Sequence, residues 1–361
     1  MQIYIIIFPI ILFFYILTMN CVVNSKKLFV ILSFGFLGII SVFRANTVGT
    51  DVYSYQQIFL SNIQGGNLGD LQTKSIGYYL FSRTIGMISK NPQAITIAGS
   101  ILVSLLIGNF IYKNSEQVLF STLLFVSMYF FADSLNGMRQ FIAILLVLSA
   151  HYLLISGKKI QALLILGIAL SFHLTAIIGV FIFFVDKIRW NLKKLSFLSV
   201  ILISIGGAYE WIFNWFTNHI SSYSLYASFN DGTSEKGKLI FIFLLFLVTI
   251  LAIVILNHNG KISLSRNEYS VLVIYYTGVL FSIIFFYNTF MFQLLRRLLL
   301  YFNIFGILYF PIFCNKISSL TKNPKIINNI VFIILFGISL YTYFTSLNNN
   351  MNGIVPYIPF F

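Results

Sequence analysis

IQALLILGIALSFHLTAIIGVFIFFV, residues 160–185, holds no Asp, Glu, Lys or Arg, and its one ionisable side chain, His173, sits near its middle. A helix of this length can cross a hydrocarbon core of about 30 Å in a single pass, because about 20 apolar residues suffice. The flanks oppose that reading. Lys158 and Lys159 precede the stretch, and DKIRWNLKK, residues 186–194, follows it with Lys187, Arg189, Lys193 and Lys194. Basic residues gather in the cytoplasmic loops of membrane proteins, so both flanks belong on one side. A chain that turns near Ser171, Phe172 and His173 satisfies both flanks. Each arm then has about twelve residues and rises only partway at 1.5 Å per residue, as broken or re-entrant helices do.

The rest of the chain reads the same way. Of 361 residues 58% are hydrophobic and only 9% charged, too little charge for a soluble domain of this length to cover itself. Apolar segments recur at 2–19, 28–43, 92–112, 117–132, 138–156, 160–185, 195–217, 238–256, 269–291, 297–314 and 326–345. They predict an all-α, polytopic transmembrane bundle of about 11–12 spans in one membrane domain, residues 1–361, with outer loops at about 44–91 and 218–236. MQIYIIIFPIILFFYILTMN lacks a basic segment before its apolar run and a small-residue cleavage site, so it is expected to stay as the first span, N-terminus outside.

A net charge of +14 would suggest nucleic acid in a soluble protein, but here the orienting excess of basic loop residues accounts for it, and no nucleic-acid partner is expected. Threading the chain from an outer N-terminus puts most lysines inside. It puts Arg44, Arg83, Arg139, Arg296 and Arg297 outside, leaving only Arg189 and Arg266 within. Lysine suffices to orient a helix, whereas arginine offers a planar fork matched to phosphate and carboxylate oxygens. The outward face is therefore the expected working face. Cys21 and Cys314 both fall near inner span ends, so neither a disulfide nor a cysteine metal site is expected.

Four places can carry chemistry. FRANTVGTDVYSYQQIF, residues 43–59, sets Arg44 and Asp51 across a turn at Gly49 and Thr50; they can pair with each other or jointly bind a sugar phosphate. In DSLNGMRQFIAILLVL, residues 133–148, Ser134 or Asn136 can cap a helix whose first turn holds Arg139 and Gln140, an anion site beside unsatisfied backbone N–H groups. His173, at the tip of an outward hairpin, can face a polar cavity as a base or a phosphate donor. Arg296 and Arg297 stand at an outer helix end, about 100° apart around it. Glu210 is a further intramembrane charge, while His151, His219 and His258 are read as interfacial or loop residues. The chain has no P-loop, HExxH, CxxC, GxSxG or Asp-x-Asp signature, which disfavours ATP-driven, zinc-structural and soluble nucleotide-sugar chemistry, and no cofactor or metal is expected.

Residues 43–59, 133–148 and 161–180 together resemble the EpsG family of bacterial polysaccharide polymerases, a branch of the Wzy-like proteins. The resemblance is carried by Arg44, Val48-Gly49-Thr50-Asp51 and Tyr55, then by Asn136, Arg139-Gln140 and Ala143, then by Phe172-His173, and Val355-Pro356-Tyr357 looks like the family's C-terminal end. The long first outer loop, with Asp70, Lys74 and Arg83, departs from the pattern. The resemblance implies a GT-C-like membrane glycosyltransferase that needs no metal. It would join oligosaccharide repeat units carried on a polyprenyl diphosphate into O-antigen, capsule or exopolysaccharide, at the outer face of the bacterial cytoplasmic membrane. It implies a chain-length regulator as a possible protein partner. In that setting Arg139, Arg296 and Arg297 would hold the diphosphate, Gln140 would bind substrate beside Arg139, Arg44 would bind the diphosphate or orient Asp51, and Asp51 or His173 would be the base. A flippase for the same lipid-linked sugar would want matched broken helices in two symmetric halves, which are absent from the sequence. A membrane acyltransferase would want its His open to the cytoplasm. An O-antigen ligase shares the chemistry and stays open.

Overall fold

The computed structural model describes residues 1–19, 24–65, 75–185, 188, 191–208, 211, 236–287 and 292–360. Helices dominate, and among the described residues no strand forms beyond one isolated bridge between Arg44 and Pro359. The first five are α1 (Gln2–Met19), α2 (Ser25–Val42), α3 (Val52–Ile63), α4 (Ile76–Ile88) and α5 (Gln93–Asn114). Next come α6 (Val118–Ser127), α7 (Phe130–Asn136), α8 (Met138–Ile155), α9 (Lys159–Phe172), α10 (Ile178–Val185) and α11 (Leu192–Gly207). The last five are α12 (Lys236–His258), α13 (Arg266–Tyr287), α14 (Phe292–Asn303), α15 (Gly306–Ser318) and α16 (Pro324–Asn348).

Among the described residues 7 helices are long and apolar enough to cross a membrane, or up to 9 if each of two bent pairs counts as one span. The expected segments at 117–132 and 297–314 are those pairs: α6 and α7 meet at 54°, α14 and α15 at 41°. The first bend has a local cause. Tyr129, between α6 and α7, takes a left-handed φ of 72°, and its hydroxyl donates to the Met351 carbonyl at 2.6 Å. Of the expected segment 195–217 only α11 is described in full. Cys21, Asp70, Lys74, Lys187, Arg189, Glu210, His219 and residues 218–235 of the loop expected at 218–236 lie outside the described residues.

The turn expected near Ser171, Phe172 and His173 is present. α9 ends at His173, whose backbone is extended, and a 3-10 turn over Leu174–Ile177 leads into α10. A Cβ placed on Gly179 would lie 2.6 Å from Leu166 Cδ1 and 3.1 Å from Val147 Cγ2. Thirteen residues of straight helix would separate Leu166 from Gly179 by about 20 Å, so the chain has turned back on α9 by the first residues of α10. Gly179→Leu should force these arms apart and destabilise the fold by roughly 1–3 kcal/mol, read as a lower melting temperature in detergent.

The contacts divide the chain into two compact units, Met1–Val180 with Ile334–Phe361, and Phe181–Ile333. In the first unit α2 packs on α1 and α5, α5 on α8, and α8 on α9. Small residues bring α2 and α5 close: a Cβ on Gly108 would lie 3.3 Å from Phe34, and one on Gly38 would lie 3.0 Å from Ser104 Oγ. At one end of this unit Lys26, opening α2, donates to the carbonyl of Ser115, just beyond α5. The opposite end gathers the start of α1, the end of α2, the starts of α5 and α8, the tip of the α9 hairpin and the end of α16. These are the termini that the basic-loop rule groups together.

The stretch at 44–91, expected as a loop, is mostly α3 and α4. Tyr55 meets Tyr78 with ring centroids 6.0 Å apart, and eight residues on from each, a Cβ on Gly86 would lie 2.3 Å from Ile63 Cγ2. The constant offset makes α3 and α4 parallel neighbours. In the second unit α13 packs on α11, α12, α14 and α15. Tyr275 stacks on Tyr309 at 5.0 Å, and Lys316 pairs with Glu268 at 3.0 Å.

Candidate functional site

The site is assembled around the start of α8. Gly137, not Ser134 or Asn136, precedes its first residue, and no side chain caps it. This corrects the expected cap. Asp133, Ser134 and Asn136 belong to the short helix α7, where the Ser134 hydroxyl donates to the Phe131 carbonyl. Asn136 serves another helix altogether. Its Oδ1 accepts the Asp51 amide at 2.8 Å and the Thr50 hydroxyl at 3.2 Å, so it satisfies a donor at the start of α3, 85 residues away in the chain.

That close approach depends on Gly49. Its φ of +106° is open to glycine, and a Cβ there would lie 3.0 Å from the Leu135 carbonyl oxygen and 3.2 Å from Asn136 Cα. The turn expected at Gly49 and Thr50 is thus the point where the segment between α2 and α3 leans on α7. One helical turn beyond Asp51 stands Tyr55, whose amide donates to the Asp51 carbonyl.

Arg139, in the first turn of α8, is held between two aromatic rings. Its guanidinium carbon lies 4.9 Å from the centroid of Tyr55 and 5.1 Å from that of Tyr78, and Nη1 donates to Ser75 Oγ at 3.3 Å. Nε is buried, with no hydrogen-bond partner among the described residues. A guanidinium carries five N–H donors, so this one is fixed in place with donor capacity to spare. The clamp is itself fixed: the Tyr78 hydroxyl donates to the Tyr55 carbonyl at 2.9 Å. Burial pushes the Tyr78 phenol above its ordinary pKa, with Arg139 pulling the other way, so Tyr78 stays protonated and acts as a wall of the clamp. Tyr78→Phe keeps the ring face and loses one hydrogen bond, a cost of about 1 kcal/mol in stability with activity retained. Tyr78→Leu removes the face and should lower activity along with stability; melting and product assays on the two variants separate these effects.

The hairpin tip lies beside the clamp. Gly77, next to Tyr78, has no room for a Cβ, which would lie 2.3 Å from Ser171 Oγ and 2.8 Å from the Ser171 carbonyl carbon. Phe81 packs on Phe172 at 6.0 Å. His173 follows, half-buried, its Nδ1 2.6 Å from Thr175 Oγ1. Asp51, Arg139 and His173 therefore gather at one end of the first unit, linked through Tyr55, Tyr78 and Ser171. Gln140, beside Arg139, is buried at 4% exposure.

Arg44 does not join them as an accessible ligand. It is 1% exposed, and its Nη1 donates to the Ser41 carbonyl and, at 2.7 Å, to Ser100 Oγ. Gln93 Nε2 donates to the Arg44 carbonyl at 2.9 Å, and Gln56 Nε2 to Gln93 Oε1 at 2.8 Å. The side chain expected to bind substrate or orient Asp51 instead ties the end of α2 to α5. His151, read as interfacial, is likewise buried within α8 at 3% exposure. Arg296 and Arg297 lie in the second unit, half-buried on α14. Ser75 and Tyr78 were missed because nothing in their local sequence announces a partner in α8; the one available signal is the helical spacing of the apolar residues from 76 to 88.

A family model for the EpsG family matches residues 27–358. No curated protein and no solved structure matches the chain. The match runs through α2, the Gly49 turn, the Arg139 clamp, the hairpin and the C-terminal segment, and covers far more than half of the sequence. The chain belongs to the EpsG family, a family of polysaccharide polymerase-like membrane proteins.

Proposed function

We propose that this protein is a metal-independent membrane glycosyltransferase that joins polyprenyl-diphosphate-linked oligosaccharide repeat units into a surface polysaccharide, at the outer face of the bacterial cytoplasmic membrane. The observation that carries the reading is Arg139, a guanidinium clamped between Tyr55 and Tyr78 with donors unspent, in a chain of the EpsG family. When an acceptor hydroxyl attacks the anomeric carbon, the bond to the diphosphate breaks and negative charge grows on the leaving oxygen. A preorganised cation in a water-poor site stabilises that charge. The hydroxyl proton passes to the Asp51 carboxylate or the His173 imidazole, and the diphosphate departs on its lipid. Arg44 is too enclosed to take part, and the reading stands without Arg296 and Arg297. Direct displacement inverts the anomeric carbon, and a product of retained configuration would sink this single-step version.

The test is the length distribution of surface polysaccharide in a deletion strain complemented with the wild-type chain. Single repeat units on the surface of the deletion strain, with long chains restored by complementation, are expected. Repeat units that stay on lipid inside the deletion strain would identify an exporter instead. Full-length polymer left on its lipid, not transferred to a surface acceptor, would identify a ligase.

A further inference from the structure

The end of the chain is strapped across the same end of the first unit. Tyr4 and Tyr129 donate their hydroxyls to the carbonyls of Ile354 and Met351, the Tyr357 hydroxyl donates to the Ile40 carbonyl, and the Ala45 amide donates to the Ile358 carbonyl. The Phe360 amide returns a bond to the Phe43 carbonyl, and the two rings stack at 6.0 Å. Those bonds anchor the strap to α1, to the end of α2 and to the bend between α6 and α7. A second set points elsewhere. The carbonyls of Asn352 and Gly353 accept the amides of Thr50 and Gly49 at 3.1 and 3.0 Å, and Asn352 Nδ2 donates to Asp133 Oδ1 at 2.8 Å. Asp133 lies on α7, three residues before Asn136, whose Oδ1 receives the Asp51 amide.

The geometry points to Asn352 as a positioning residue for Asp51: it grips the Gly49–Thr50 turn with its backbone and α7 with its side chain, and so fixes the junction that aims the Asp51 carboxylate. The strap has anchors enough to stay docked without this amide, so the amide serves the junction. The inference rests on the proposed polymerase and on Asp51 taking part in its chemistry. Asn352 has a left-handed φ of 71°, which Asn, Asp and Gly adopt at lower cost than other residues. Asn352→Gly thus deletes the amide without backbone strain. Asn352→Asp puts a carboxylate against Asp133, and Asn352→Asp with Asp133→Asn restores one donor and one acceptor in reversed order.

The experiment uses the full chain in membrane vesicles from a strain that makes the lipid-linked repeat unit, and follows polymer formation beside amide exchange over residues 48–56. Asn352→Gly and Asn352→Asp should speed exchange at Thr50 and Asp51 and lower kcat by on the order of ten- to a hundredfold, with KM close to wild type and a rate loss larger than the fall in melting temperature accounts for. The reversed pair should recover both. Unchanged exchange, faster exchange at an unchanged rate, or a rate loss that only tracks a lower melting temperature would each overturn the positioning role. Faster exchange, recovered in the reversed pair, in vesicles whose wild-type protein makes no polymer would leave the strap's hold on the turn standing and overturn the polymerase reading.

Discussion

Arg139→Ala should reduce polymer to near the level of a deletion strain while the protein still inserts and folds. Two effects compete in such a variant, and their sizes decide the outcome. Loss of the two ring contacts, at 4.9 and 5.1 Å, costs about 1–2 kcal/mol of stability. Removing a preorganised donor from a site of charge development costs about 10²–10³ in rate. The functional loss should therefore far exceed the stability loss. Arg139→Lys separates charge from shape: an ammonium keeps the charge but has no plane to lie between Tyr55 and Tyr78 and no fork for two oxygens. It should leave polymer well below wild type. The measurement is the surface-polysaccharide ladder, with insertion and melting recorded for each variant. Near wild-type ladders from Arg139→Lys would mean that a point charge suffices and the clamp is only packing.

Much of this site was legible before the fold, and the reasons divide cleanly. Arg139 could be found because a cation beside the start of an apolar helix is costly unless it has a task. The turn at residues 171–173 could be found because its two basic flanks belong on one side of the membrane. Ser134 or Asn136 was expected to cap α8, and neither does; Asn136 serves the start of α3 instead. Local spacing offers the start of α8, while the partner it uses, the Asp51 amide, lies 85 residues away. Arg44 was misjudged for a related reason: a span end looks exposed in sequence, and only the packing of α2 on α5 shows that Ser41 and Ser100 enclose it. The polar network through Gln56 and Gln93 is equally non-local. Apolar periodicity marks where helices lie, but it carries no record of which polar side chains meet across them.

The helix that carries the Tyr78 wall comes closest to the hairpin tip at Gly77, which makes Gly77 a second sharp test. A Cβ there would lie 2.8 Å from the Ser171 carbonyl carbon and 3.0 Å from Phe172 Cδ2. The Ser171 hydroxyl can rotate aside, but its backbone cannot move without moving the turn that carries His173. Gly77→Val should therefore push α4 away from α9, and Tyr78, as the next residue, must shift with it. A displacement of about 1 Å in groups that position a reaction can cost about 10² in rate, whereas the overpacking itself costs roughly 1–3 kcal/mol. Gly167→Ala, on the hairpin arm that leads to the same tip, provides the contrast. Its Cβ would meet nothing within 4 Å, and alanine is favoured over glycine inside a helix by roughly 0.5–1 kcal/mol. That variant should melt slightly higher and polymerise normally. If Gly77→Val lowers melting but leaves the polysaccharide ladder intact, the hairpin tip and the Tyr78 wall can part without loss, and the base must then be sought at Asp51 alone. If the ladder collapses while Gly167→Ala stays active, the close approach of α4 to the hairpin tip is itself a requirement for activity.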